Sequence, residues 1–141
     1  MPRSTTLFAL LLLAPLIASA CGSDDPIDTG TEPTPISITE PFSGNLNPNG
    51  SRTHPFSVAR AGTVTARITA LAPDDTLGVG LDLGTWNGST CAVIIRNSNA
   101  SLTANSSATG TAQQTGQFCV SIYDIGKLTA STDYTIDVTH Y

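Results

Sequence analysis

From Ser37 onward, apolar residues recur at every second position. In "THPFSVA", Phe56 and Val58 share a face with His54, and in "GTVTARITA", Val64, Ala66 and Ile68 alternate with Thr63, Thr65, Arg67 and Thr69. "TLGVGLDLG" sets Leu77, Val79, Leu81 and Leu83 in one stripe. "GQFCVSIYD" alternates Phe118, Val120 and Ile122 with Cys119, Ser121 and Tyr123, and "DYTIDVTH" alternates Tyr134, Ile136 and Val138 with Asp133, Thr135, Asp137 and Thr139. Period-two alternation bounded by Gly, Pro and Asn marks half-buried antiparallel strands, and no segment carries the helical period. Several such strands within residues 37–141 predict an all-β sandwich or barrel.

The breaks in the pattern read as turns. Pro48-Asn49-Gly50 separates a strand near Phe42 from the one near Phe56, and Ala61-Gly62 separates the next pair. Asn87-Gly88 predicts a type I′ hairpin, in which both central residues need positive φ. Residues 97–117 are rich in Asn, Ser, Thr, Ala and Gly, with weak strands expected near Ser101–Ala104 and Ala108–Ala112.

The first 36 residues have a different texture. Arg3 lies in a short polar lead, Leu7 to Ile17 form an apolar run, and "ASA" stands before Cys21. This is the layout of a secretory signal peptide over residues 1–20. The run is short for a spanning helix, which needs roughly 20 apolar residues. Residues 21–36 follow as Cys21 and an acidic linker carrying Asp24, Asp25, Asp28 and Glu32, three prolines and no base. Such a composition has too few apolar residues for a core and predicts a flexible, charge-extended tether. The domain proper is then 37–141.

Charge narrows the function classes. The whole chain has a formal net charge of −5, and loss of Arg3 with the signal segment leaves five bases against eleven acids. No basic patch is present to neutralise phosphates, so nucleic-acid binding is disfavoured. No Lys/Arg cluster holds the chain on anionic lipid by charge.

Export also makes the cysteines informative. In an oxidising compartment, Cys91 and Cys119 are expected to pair, closing a loop with a sequence separation of 28. The chain-entropy model assigns such a bridge about 3 kcal/mol. One tension accompanies this pairing. If Phe118, Val120 and Ile122 face the core, Cys119 faces out, and Cys91 then shares the outward face with Val93 and Ile95. Either a bulge shifts the register of "CAVIIR" or that face is covered.

Three further sets of residues invite chemistry. Asp74, Asp75 and Asp82 are candidate calcium ligands, with Asn97 and Asn99 as possible companions, although no D-x-D-x-D-G loop is present. Without calcium, no cofactor is expected. His54 and His140 are the only histidines, and neither sits in a G-x-S-x-G, H-E-x-x-H or P-loop context, so the expectation is a non-enzyme. Trp86, Asn87 and Tyr123 are the candidate ligand-surface residues. Trp86 is the sole tryptophan, with a face suited to a sugar or a protein partner, and the alternative role is capping the core.

The ending "GQFCVSIYDIGKLTASTDYTIDVTHY" resembles the closing strand pair of the bacterial pre-peptidase C-terminal domain family, in which a Gly–x–aromatic–x–Val–x–Val–Tyr strand runs through a loop into a final Tyr–x–Leu–x–Val strand. The opening "FSGNLNPNGSRTHPFSVARAGTVTARIT" is similar to that family's first hairpins. The resemblance spans about Pro41 to His140. It implies a jelly-roll-like antiparallel β-sandwich of about eight strands, non-catalytic, usually appended to secreted peptidases, with some relatives binding extracellular polymers or calcium. Here the expectation is a signal, tether and sandwich with no attached enzyme domain.

Ala18-Ser19-Ala20-Cys21 resembles a bacterial lipobox, with Ala18 where Leu is preferred. That resemblance implies a lipid on the sulfur of Cys21, and it accounts for the odd cysteine. The expectation is therefore a monomeric lipoprotein of the bacterial cell envelope, in the outer membrane or at the cell surface. Its β-sandwich would contact an extracellular glycan or protein. The alternative is an accessory domain that assists a separate secreted peptidase or glycan-active enzyme.

Overall fold

The computed structural model describes residues 34–96 and 101–141. The signal segment, Cys21, most of the linker, and Asn97 and Asn99 lie outside the described residues. Eight strands follow in order: β1 (Ile38–Leu46), β2 (Ser51–Val58), β3 (Gly62–Ala72), β4 (Val79–Trp86), β5 (Cys91–Arg96), β6 (Ser107–Ala112), β7 (Gly116–Asp124) and β8 (Thr132–His140). They form two four-stranded antiparallel sheets, ordered β1-β8-β3-β6 (sheet A) and β2-β7-β4-β5 (sheet B). This interleaving, with successive strands alternating between sheets except at the β4–β5 hairpin, is a jelly roll.

The period-two stripes lie where the alternation requires. Phe56, Val58, Val64, Ala66, Ile68, Val79, Leu81, Leu83, Val120, Ile122, Tyr134, Ile136 and Val138 are all buried between the sheets. Two bulges adjust the pattern. In β3 the pairing steps from Ile68↔Ile136 to Ala70↔Thr135, leaving Thr69 as the extra residue. One inserted residue exchanges the two faces of a strand. Leu71, an odd position in a strand whose even positions face inward, thereby joins the core opposite Tyr134.

The second bulge is in β5, where Leu83 pairs Ile95 and Gly84 pairs Val93, so Ile94 is the extra residue. It resolves the tension in "CAVIIR". Ile95 turns in to pack on the core, Cys91 keeps the outward face, and Ile94 stands 66% exposed. Cys119 is on the outward face of sheet B yet fully buried, because β5 itself covers it. Gly84, its ladder partner, permits this: a Cβ there would lie 2.3 Å from the backbone oxygen of Ala92. β5 therefore passes closely over β4, and Cys91 reaches Cys119 with a Cα–Cα distance of 5.9 Å.

Two local expectations are corrected. The β4–β5 connection is not a type I′ turn, since Gly88 has positive φ and Asn87 does not. The Asn87 side chain instead accepts the backbone N–H groups of Ser89 and Thr90 on Oδ1 and donates to Thr90 Oγ1, closing a longer Asx-type loop. Near Ser101–Ala104 there is no strand, only a bridge in which Leu102 pairs Val79 and enters the core. The second weak segment is a strand, β6. Among the described residues, no helix is long and apolar enough to cross a membrane.

Candidate functional site

Both histidines sit in one seam, where the β1 and β2 edges of the two sheets meet. Alternation on β2 turns His54 inward, and Tyr134 faces it from β8. The His54 Nε2 and the Tyr134 hydroxyl are 2.7 Å apart, and Phe42 stacks on the imidazole at 5.1 Å. Gly44 leaves the room, since a Cβ there would come 2.6 Å from the Tyr134 oxygen. Burial, and secondarily the charge of Arg52, lowers the His54 pKa below its ordinary value, while burial raises that of Tyr134 against the opposing influence of Arg52. Further along, His140 is fully buried, with Nε2 2.7 Å from Glu40 Oε1 and Phe56 5.1 Å from its ring. Its Nδ1 faces the Tyr141 carbonyl at 3.4 Å. Among the described residues, the hydrogen-bond partners of the two imidazoles are Tyr134, Glu40 and the Tyr141 carbonyl, an arrangement of packing and hydrogen bonds.

The sequence-chosen ligand residues are not brought together. Trp86 and Tyr123 belong to sheet B and Asn87 to the loop after β4, but Tyr123 pairs Gly80 at one end of β4 while Trp86 closes the other. Six residue steps along the strand separate the two levels, about 20 Å. Trp86 is half-buried opposite Cys91, and Asn87 is occupied by its own loop. Tyr123 has a different setting. Its ring lies over Gly80, where a Cβ would come within 2.2 Å.

The calcium candidates also separate. Asp74 accepts the hydroxyl and backbone N–H of Thr76, which hold its pKa below the ordinary value against a small opposing effect of burial. Asp75 stands exposed in the same loop. Asp82 lies mid-strand on β4. Among the described residues no group of three or more His, Cys, Asp or Glu side chains is placed to hold a metal ion.

Asp82 is the residue that alternation misplaced. Its parity puts it on the solvent side, yet it is only 4% exposed. The Tyr123 hydroxyl donates to Asp82 Oδ1 at 3.3 Å, and Arg96 Nε lies 3.7 Å from Oδ2. Burial, then the Asp82 charge and its hydrogen bond, raises the Tyr123 pKa, with Arg96 pulling the other way. The signal in the sequence was "GLDLG", a lone acid between two glycines. Those glycines let Tyr123 and β5 close down on either side of the carboxylate. Another acid, Asp124, is purely organisational. Oδ1 accepts the N–H groups of Gly126, Lys127 and Leu128, and Oδ2 accepts that of Asn49. Burial would raise its pKa, but these bonds prevail and lower it.

No family model matches the chain, and no curated protein sequence matches it. Among solved structures, the chain is similar to the Yersinia pseudotuberculosis-derived mitogen at 15% identity and a TM-score of 0.54, covering 75% of this chain and 88% of that one. It is also similar to PliG of Aeromonas hydrophila, a periplasmic lysozyme inhibitor of g-type lysozyme, at 11% identity and a TM-score of 0.48, covering 71% and 83%. At these identities the likeness is one of fold.

Proposed function

We propose that this protein is a non-catalytic lipoprotein of the bacterial cell envelope, with a lipid on Cys21 and a jelly-roll sandwich that acts by surface contact. The observation that carries this reading is how the histidines are used. His54 bonds Tyr134 across the two sheets, and His140 bonds Glu40 within sheet A while packing on Phe56 of the other sheet, so the groups best suited to proton transfer at neutral pH are used in structural contacts. The signal-like leader, the small residues before Cys21 and the pairing of the other two cysteines support an exported chain whose third thiol has a separate purpose. The jelly-roll order is what the resemblance to the pre-peptidase C-terminal family implies, and it supports membership in a family of accessory and binding domains. Tyr123, flanked by Asp82 and Arg96, is the ligand-surface candidate in the most built surroundings, with a ring and charged groups suited to a glycan or a protein.

Intact mass of membrane-extracted protein, with and without reductant, tests the reading. The expected result is a chain beginning at an acylated Cys21 that gains two hydrogens on reduction. Recovery of unmodified Cys21 in the soluble fraction would overturn it.

A further inference from the structure

The two ends of the sandwich differ in charge and in what they expose. At one end lie the start of β1, the ends of β2, β4 and β8, and the starts of β3, β5 and β7, as the register Ile38↔His140, Val58↔Gly116 and Trp86↔Cys91 requires. The described chain enters the domain at this end, because Thr34 to Ile36 lie beside Ala59, Arg60 and Tyr141. Tyr141 is held there by the backbone N–H groups of Ala59 and Arg60, at 2.8 and 3.3 Å from its carbonyl. Of the four large exposed hydrophobic side chains among the described residues, two are here, Ile36 at 85% and Ile38 at 49%. Trp86 is at the same end.

Among the described residues, most acids of the sandwich lie elsewhere. Asp74, Asp75, Asp124 and Asp133 belong to the loops and strand ends of the opposite end, and Asp82 and Asp137 sit mid-strand. Near the entry end the acid of the sandwich is Glu40, engaged with His140, and the charged side chain at the rim is Arg60.

From this polarity we infer that the entry end of the sandwich is a membrane-contacting face, on which Ile36, Ile38, Trp86 and Tyr141 settle into the headgroup region with Arg60 beside them. The inference rests on the lipid anchor proposed above. Only residues 22–33 separate Cys21 from the described domain, a reach of at most about 45 Å even at full extension. A tether of that length keeps the domain at an effective concentration of about millimolar with respect to the bilayer, so weak contacts suffice. Exposed aliphatic side chains gain by leaving water, and Trp and Tyr favour the interface, where an apolar ring and a polar group are both satisfied. The linker acids Asp24, Asp25, Asp28 and Glu32 join the chain at this end, so apolar contact and the short tether, rather than charge, bring it to the bilayer, with Arg60 the cation beside the contact. The orientation leaves Tyr123, Asp82 and the long loops directed away from the membrane.

The sole tryptophan makes this testable. The acylated full-length protein is reconstituted into phosphatidylethanolamine–phosphatidylglycerol vesicles with or without brominated acyl chains. Bromine is expected to reduce Trp86 emission by about twofold for an indole at headgroup level. The Ile36→Ser/Ile38→Ser variant should float with the vesicles as the native protein does but lose most of the quenching. Unquenched emission from acylated, vesicle-bound protein overturns the inference and leaves the anchor standing. Quenching that survives the double substitution also overturns it, because anchoring alone then brings Trp86 to lipid. If intact mass shows no acyl group, the anchor reading fails. Emission of the unacylated chain added to the same vesicles then decides the contact face, with no quenching counting against it.

Discussion

Where β1 and β2 meet, the jelly roll is closed by Phe42 stacked on His54, by the His54–Tyr134 bond and by Phe56 against His140, whose imidazole is fixed within sheet A by Glu40. Where β5 and β6 meet, the lining is apolar, from Phe56, Val64, Leu83, Ile95, Ala112 and Phe118, and Gly110 lies so close to Ile95 that a Cβ would come 2.1 Å from its Cδ1. The first edge uses directional pairs between side chains, while the second relies on burial and on the Cys91–Cys119 bridge. The difference has a physical origin. β1 and β2 carry Pro41 and Pro55, which lack a donor and protect an exposed edge, so the seam between them can remain partly polar. β5 has no proline and a run of β-branched residues. Its protection is the bulge at Ile94, its flanking Arg96 and a covalent pin that keeps it folded over Gly84.

The largest expected effect therefore lies at the β5 edge. Cys91→Ala with Cys119→Ala should cost about 3 kcal/mol in urea unfolding, and native-state hydrogen exchange should show β5 opening before β1. Equal loosening of both edges would dissolve the contrast. Next is Gly84→Ala, which forces the Ala92 carbonyl away and should cost about 2 kcal/mol. In the cysteine-free background β5 can move, so the same substitution should cost less than half as much. Strict additivity in that double-mutant cycle would show that Gly84 and the bridge are not linked.

The β1/β2 seam should respond to pH instead. His54→Phe removes the Tyr134 bond and should cost about 1 kcal/mol at pH 8. The folded-state pKa of His54 is depressed below 6.5, so the unfolded chain takes up the proton first. The native protein should lose stability as pH falls from above 6.5 to the folded value, after which this contribution is constant. The variant should lack that slope, and identical pH profiles for the two proteins would refute the assignment. The smallest effect is expected at Ile94→Lys, an exposed bulge residue, within about 0.5 kcal/mol of native stability. A large loss there would mean that the bulge is itself a packed feature.

The inward stripes of β2, β3, β4, β7 and β8 were readable because period-two alternation maps directly onto a sheet with one face buried. The disulfide was readable because an exported domain with two spaced cysteines leaves few other uses for them. The role of Asn87 was not, because an Asn-Gly pair suits both a two-residue hairpin and a longer Asx-closed loop. The final positions of Trp86 and Tyr123 were not readable either, since strand length and register decide which end of a sheet a residue occupies.

The sequence by itself determined the fold class and the inward stripes of β2, β3, β4, β7 and β8, since these follow from local periodicity and turn chemistry. Only the tertiary structure decided what covers each outward position. Cys119 and Asp82 have the parity of solvent-facing residues and are buried, because β5 bulges at Ile94 and folds over a strand whose outward positions at 80 and 84 are glycine. Burial of a sheet's outer face depends on what another segment places against it, and no periodicity within the strand carries that information.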